Sequence, residues 1–162
     1  MAQPRQHDQR GPPALCWRKR GAEQQAIGRS RGGLSTKVHL IVDALGLPTG
    51  FEITEGQRHD NQAAPSLIAA TAPRCLLADK GYDSNAIRDQ LSGIGCEAVI
   101  PSKANRVEAL PHDEHLYKSR NEVECTFNLL KHARRFATRY EKTARNYAAV
   151  VAIGCATLWL RI

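Results

Sequence analysis

Two carboxylates stand out by the residues around them. Asp79 closes the unbroken apolar run Cys75-Leu76-Leu77-Ala78 and precedes Lys80-Gly81-Tyr82. Glu124 belongs to the spaced set Tyr117, Arg120, Glu124 and Lys131, a Y-x2-R-x3-E-x6-K pattern. Two carboxylates on rigid elements with basic neighbours are what magnesium-assisted phosphoryl transfer requires. Mg²⁺ takes hard oxygen ligands and keeps several waters. A pair of such ions activates a water and stabilises the leaving oxygen of a phosphodiester. Arg120 and Lys131 are then the cations that hold DNA phosphates beside the metals.

These groups need elements to position them. A helix is expected over 117–137. With Arg120 at zero on a helical wheel, Glu124 falls at about 40°, Lys131 at about 20° and Tyr117 at about 60°. Val123, Phe127 and Leu130 form an apolar stripe directly beside this polar one. The helix therefore buries those three and holds Glu124 at the edge of the core. Asp79 lies at the C-terminal end of a predicted central strand, where α/β sheets collect their active groups. By spacing alone the stripe reads either this way or as a solvated helix face, with Arg120–Glu124 a weak surface pair. Asp79 alone reads equally as a turn or cap residue.

The remaining pattern supplies the scaffold. Val38, Leu40 and Val42 alternate with their neighbours, as do Phe51, Ile53 and Glu55, and Leu45–Gly50 carries turn residues. That is a β-hairpin. A helix over 62–71 is expected, capped by Asp60 or Asn61. A second helix, capped by Asp83, carries Ile87, Leu91 and Ile94. Ala98-Val99-Ile100 is a strand stopped by Pro101, and 101–115 is a polar loop. A last helix spans about 144–160. The fold class is α/β: a mixed sheet with flanking helices. Residues 1–35, rich in Arg, Gln, Gly and Pro, are expected to be largely irregular, with the ordered domain at 36–162.

Charge and composition narrow the function classes. The 162 residues carry a net charge of +7. Residues 1–37 contribute +6 and residues 117–146 contribute +5, while residues 38–116 contribute −5. Basic segments flanking an acidic middle fit a polyanion partner, most often nucleic acid, or an ordinary solvated surface. Arg134, Arg135, Arg139, Lys142 and Arg145 form the densest basic cluster and are read as DNA-backbone contacts. The longest apolar run, Tyr147 to Leu160, is shorter than a membrane span of about 20 residues. The first residues lack the apolar core of a secretory signal. The five cysteines are widely spaced with no CxxC, which speaks against a zinc ribbon or redox motif. His112-x2-His115 reads as a loop pair rather than a metal site. Trp159 reads as a core or interface anchor.

The Y-x2-R-x3-E-x6-K pattern resembles the C-terminal signature of the DDE transposases of bacterial insertion sequences. The stretches Ile27–Lys37, Leu77–Asp83 and Arg135–Tyr140 are similar to that family too, in the expected order. The resemblance implies an RNase H-like fold and a two-metal site using Mg²⁺ or Mn²⁺. It also implies Asp79 and Glu124 as catalytic and metal-holding residues. Tyr117, Arg120 and Lys131 become DNA-binding positions, with Arg134, Arg135 and Arg139 beside them. The implied partners are the element's terminal inverted repeats and target DNA, with a homo-oligomer or a mixed oligomer with full-length transposase, in the bacterial cytoplasm at the nucleoid. The family's first catalytic aspartate, expected on a central strand ahead of the hairpin, has no match in residues 1–35; Asp8 lacks apolar neighbours. The expectation is an incomplete sheet without its first strand, from a truncated or frame-shifted reading frame, inactive alone. The alternative is a non-catalytic DNA-binding or inhibitory fragment.

Overall fold

The structure is a computed structural model that describes residues 3–10, 25–30 and 33–161. Its strands are β1 (Gln3–Arg10), β2 (Gly28–Ser30), β3 (Gly33–Val42), β4 (Pro48–Glu55), β5 (Cys75–Leu77) and β6 (Glu97–Val99). Its helices are α1 (Ala64–Thr71), α2 (Asn85–Gly93), α3 (Glu114–Lys118), α4 (Asn121–Lys131), α5 (Arg134–Ala137) and α6 (Ala144–Trp159).

β3 is the organising strand. β4 pairs with it antiparallel through the expected hairpin, Leu40 opposite Phe51 and Val38 opposite Ile53. β1 pairs antiparallel along the other edge, with Gln3 opposite Val42 and Arg10 opposite Ser35. β2 meets the start of β3. β5 and β6 form a parallel pair, and β1 approaches β5.

Because side chains alternate along a strand, β3 serves two cores. Val38, Leu40 and Val42 face Val123, Phe127, Leu130, Phe136, Tyr147 and Val151 from α4, α5 and α6. Ile41 faces the other way, among Leu67, Ile68, Leu76, Ile87 and Leu91. His39 shares that second face; its Nε2 lies 2.8 Å from Thr54 Oγ1. Burial pushes its pKa down to about 4, against the partly opposing pull of Asp60. Helices thus cover both faces of the four-stranded antiparallel sheet, the parallel β5–β6 pair stands as a second sheet, and the architecture is α/β and RNase H-like.

Four expectations are corrected. Residues 1–35 are not largely irregular among those described, since they contain β1, β2 and the first residues of β3. The edge of β3 expected to be vacant is paired with Gln3–Arg10, and Asp8 stands opposite Lys37. Cross-strand pairing along β3 overrides a poor local strand propensity there. The long helix expected over 117–137 is three helices, interrupted at Ser119–Arg120 and at His132–Ala133. The caps also differ: α1 has no side-chain cap, and α2 is capped by Ser84, whose Oγ accepts from the Ile87 N–H. Asp83 is taken by another task.

Candidate active site

Asp79 follows β5 and opens the 3₁₀ turn Lys80–Tyr82. Its Oδ1 accepts from the Gly81 N–H at 2.7 Å. A Cβ at position 81 would stand 2.7 Å from that oxygen, so glycine is what permits the tight return. Asp79 is half-buried, and its other oxygen carries no hydrogen bond among the described residues. This is a carboxylate fixed by one bond with one oxygen open to a ligand.

Glu124 lies in the first half of α4, held by Val123 and Phe127, which are buried against β3. Its Oε1 meets Arg120 Nη2 at 3.6 Å, and its side chain is 39% exposed. Arg120 is oriented from the other side by Tyr117, whose ring centroid lies 5.3 Å from the guanidinium carbon. His112 packs edge-on against the same ring at 5.5 Å. The helix breaks between Tyr117 and Arg120, yet the cation–π contact keeps the two together. The tyrosine, arginine and glutamate therefore form one row, as the spacing predicts. His112, read as a plain loop residue, buttresses that row; nothing in its local sequence signals this. Lys131 is half-buried in the last turn of α4.

The basic cluster divides. Arg134 and Arg135 are exposed, and Arg135 meets the largely buried carboxylate of Glu141 at 3.6 Å. Arg139, expected to bind DNA, is fully buried instead. Its guanidinium donates to the carbonyls of Gln25, Ala26 and Glu141 and to Thr36 Oγ1. It also lies 5.1 Å above the Tyr147 ring. Burial pushes its pKa down to about 10, against the raising influence of Tyr147 and Glu141. Gln25, Ala26 and Thr36 lie more than 100 positions away in sequence, so no local pattern separates Arg139 from Arg134 and Arg135. It fastens the segment before β2 to the start of α6 and is removed from the DNA-facing set.

Asp83 is the residue whose role sequence reasoning missed. Its carboxylate accepts from Arg88 Nε at 2.8 Å, Arg106 Nη1 at 2.7 Å and the Lys103 N–H at 2.9 Å. Burial alone would raise its pKa, but those donors outweigh burial and hold it below the usual carboxylate value. The cluster pins the 101–110 loop to the start of α2.

As a metal site, Asp79 and Glu124 offer the hard, half-exposed carboxylate oxygens that a divalent cation prefers. Among the described residues, no group of three or more His, Cys, Asp or Glu residues converges. The donor chemistry fits.

Comparison with known proteins places the chain in a family. A family model described as "Transposase DDE domain" matches residues 6–159. A putative transposase for insertion sequence element IS6501 from Brucella ovis is 37% identical over 130 residues, covering 79% of this chain and all of that protein. A putative transposase for insertion sequence element IS402 from Burkholderia cepacia is 34% identical over 139 residues, covering 78% of this chain; the chain spans 63% of that relative. Among solved structures, a chain from a simian T-cell lymphotropic virus intasome in complex with PP2A regulatory subunit B56 gamma aligns over 92% of this chain and 45% of its own length. Its TM-score is 0.50 and its identity 14%, which speaks to the fold alone. The chain belongs to the transposase DDE domain family of bacterial insertion sequences.

Proposed function

We propose that this chain is a catalytic-core fragment of an insertion-sequence transposase, the complete enzyme cutting DNA at the element's ends and joining it to target DNA with Mg²⁺. The observation that carries the reading is the way two carboxylates are held, each on its own element. Asp79 is fixed at the sheet end with one oxygen open, and Glu124 is set in a row with Arg120 and Tyr117. Asp79 and Glu124 would hold the divalent ions. When bound, Mg²⁺ supplies a water acidic enough to attack a phosphodiester and neutralises the departing oxygen.

The chain's own groups do the rest. Arg120, kept in place by the Tyr117 ring and Glu124, presents its guanidinium to a backbone phosphate. Lys131, about three turns further along α4, supplies a second cation, and exposed Arg134 and Arg135 extend the basic track. Displacement is in line, without a covalent protein intermediate. The setting is the bacterial nucleoid, and the assembly would include further transposase copies.

The absence of a third convergent acidic ligand among the described residues favours a second reading for the isolated chain. By itself it binds DNA without cutting it, and it acts on transposition by occupying ends or joining mixed oligomers. A plasmid-nicking assay with Mg²⁺ or Mn²⁺ separates the two. We expect salt-dependent DNA binding and no nicking by the 162-residue chain. Robust nicking that disappears in Glu124→Gln would show that the isolated chain is a working enzyme.

A further inference from the structure

A second basic feature lies one short turn from Asp79. The 101–110 loop and the start of α2 enclose a cavity of about 520 Å³, open to solvent, within the range of ligand sites. Its wall includes Asp83, Asn85, Lys103, Arg106, Val107 and Glu108. None of these residues belongs to the Tyr117–Lys131 row.

The cations here differ in their commitments. Arg106 gives one nitrogen to Asp83 and one to Asn85 Oδ1, both at 2.7 Å. A guanidinium has five N–H donors, so these two bonds leave three for a ligand. Lys103 donates its backbone N–H to Asp83, while its ammonium makes no hydrogen bond or ion pair among the described residues. Asp83 is neutralised from behind by Arg88. The cluster thus sets three cations against two carboxylates, an excess that suits a singly charged phosphodiester. Val107 stands fully exposed beside these charges. An open apolar side chain next to an anion-receptive wall matches a nucleotide, whose sugar and base adjoin its phosphate.

The turn Lys80–Tyr82 separates Asp79 from Asp83 by four residues. At roughly 2 Å rise per residue in a 3₁₀ turn, the two lie within about 8 Å along the chain path. A DNA strand passing Asp79 therefore has a neighbouring phosphate within reach of the cavity. We propose that the Lys103–Arg106–Val107 cavity receives one nucleotide of the DNA strand adjacent to the phosphodiester at Asp79. Lys103 and Arg106 take its phosphate, and Val107 covers its sugar–base. This rests on the reading of the chain as DNA-binding.

The test uses the full chain and a short single-stranded oligothymidylate. Wild type, Lys103→Ala, Lys103→Arg and Val107→Ser are titrated by fluorescence anisotropy over a range of salt. Lys103→Ala leaves the Asp83 cluster intact, since only its backbone N–H takes part. Its affinity should fall roughly three- to tenfold, and its salt slope by about 0.7, the loss of one phosphate contact on a single strand. Lys103→Arg should restore both. Val107→Ser should weaken binding with an unchanged slope. Amide resonances of residues 103–107 should shift with the oligonucleotide, whereas inorganic phosphate alone should leave Val107 unmoved. Wild-type chain that fails to bind DNA would defeat the proposed function itself. DNA binding with wild-type affinity and slope in Lys103→Ala would overturn the cavity assignment alone. A full Val107 shift with inorganic phosphate would overturn the nucleotide assignment.

Discussion

Asp79 and Asp83 flank the same 3₁₀ turn and share a residue type, yet the fold uses them in opposite ways. Asp79 is half-exposed and accepts one hydrogen bond, from Gly81. Asp83 is 4% exposed and accepts from two guanidiniums and a backbone N–H. A carboxylate whose lone pairs are spent on the protein cannot hold a metal, and one with an open oxygen can. The same division separates Arg120 from Arg139. Arg120 is displayed at the surface by an aromatic ring and a carboxylate, whereas Arg139 is closed in by three carbonyls and a hydroxyl.

The largest effect should come from Asp83→Asn. It leaves two guanidiniums facing a neutral amide in a buried place, and breaking a buried pair this way costs about 4 kcal/mol. Asp79→Asn keeps an acceptor for Gly81 and should change stability by less than about 0.5 kcal/mol. Urea unfolding of the two variants measures the contrast, and equal losses would erase it.

Next in size is Arg139→Met, expected to cost about 3 kcal/mol by orphaning the carbonyls of Gln25 and Ala26. Arg135→Ala should cost less than about 1 kcal/mol, because the arginine is 73% exposed and its ion pair is long at 3.6 Å. DNA affinity should move the other way: Arg135→Ala weakens it, while Arg139→Met leaves it unchanged wherever the variant remains folded.

The smallest effect concerns pH. His39 is buried with no carboxylate hydrogen-bonded to it, and its pKa falls from 6.5 to about 4. The unfolded chain binds a proton at higher pH than the folded one. Stability is therefore fully present above about pH 6.5 and is lost as pH falls toward 4. Between pH 6.5 and 4.5 the loss should be about 2 kcal/mol. His39→Gln, which cannot titrate, should flatten that part of the profile. An unchanged slope would show that His39 is not the titrating group.

Much of the site was legible because its signals are local. The apolar run ending at Asp79, and the hydrophobic spacing of Val123, Phe127 and Leu130 beside Glu124, depend on neighbours within a helix or strand. The hairpin, the final helix and the Arg120–Glu124 pair were legible for the same reason. The break at Ser119–Arg120 was not, because a helical wheel carries no information about where packing turns the chain. His112 reaches Tyr117 only because the loop folds back.

The sequence by itself determined the element types, the alternation that splits β3 between two cores, and the carboxylates and cations available for phosphoryl chemistry. Tertiary structure decided which of those groups are open to a partner. Gln3–Arg10, poor in strand-forming residues, is a strand because the β3 edge pairs with it. Arg139 is buried because Thr36 and the carbonyls of residues 25 and 26 converge on it from more than 100 residues away. Periodicity and spacing are properties of near neighbours. Burial and hydrogen-bond satisfaction depend on contacts that exist only once the chain has closed on itself.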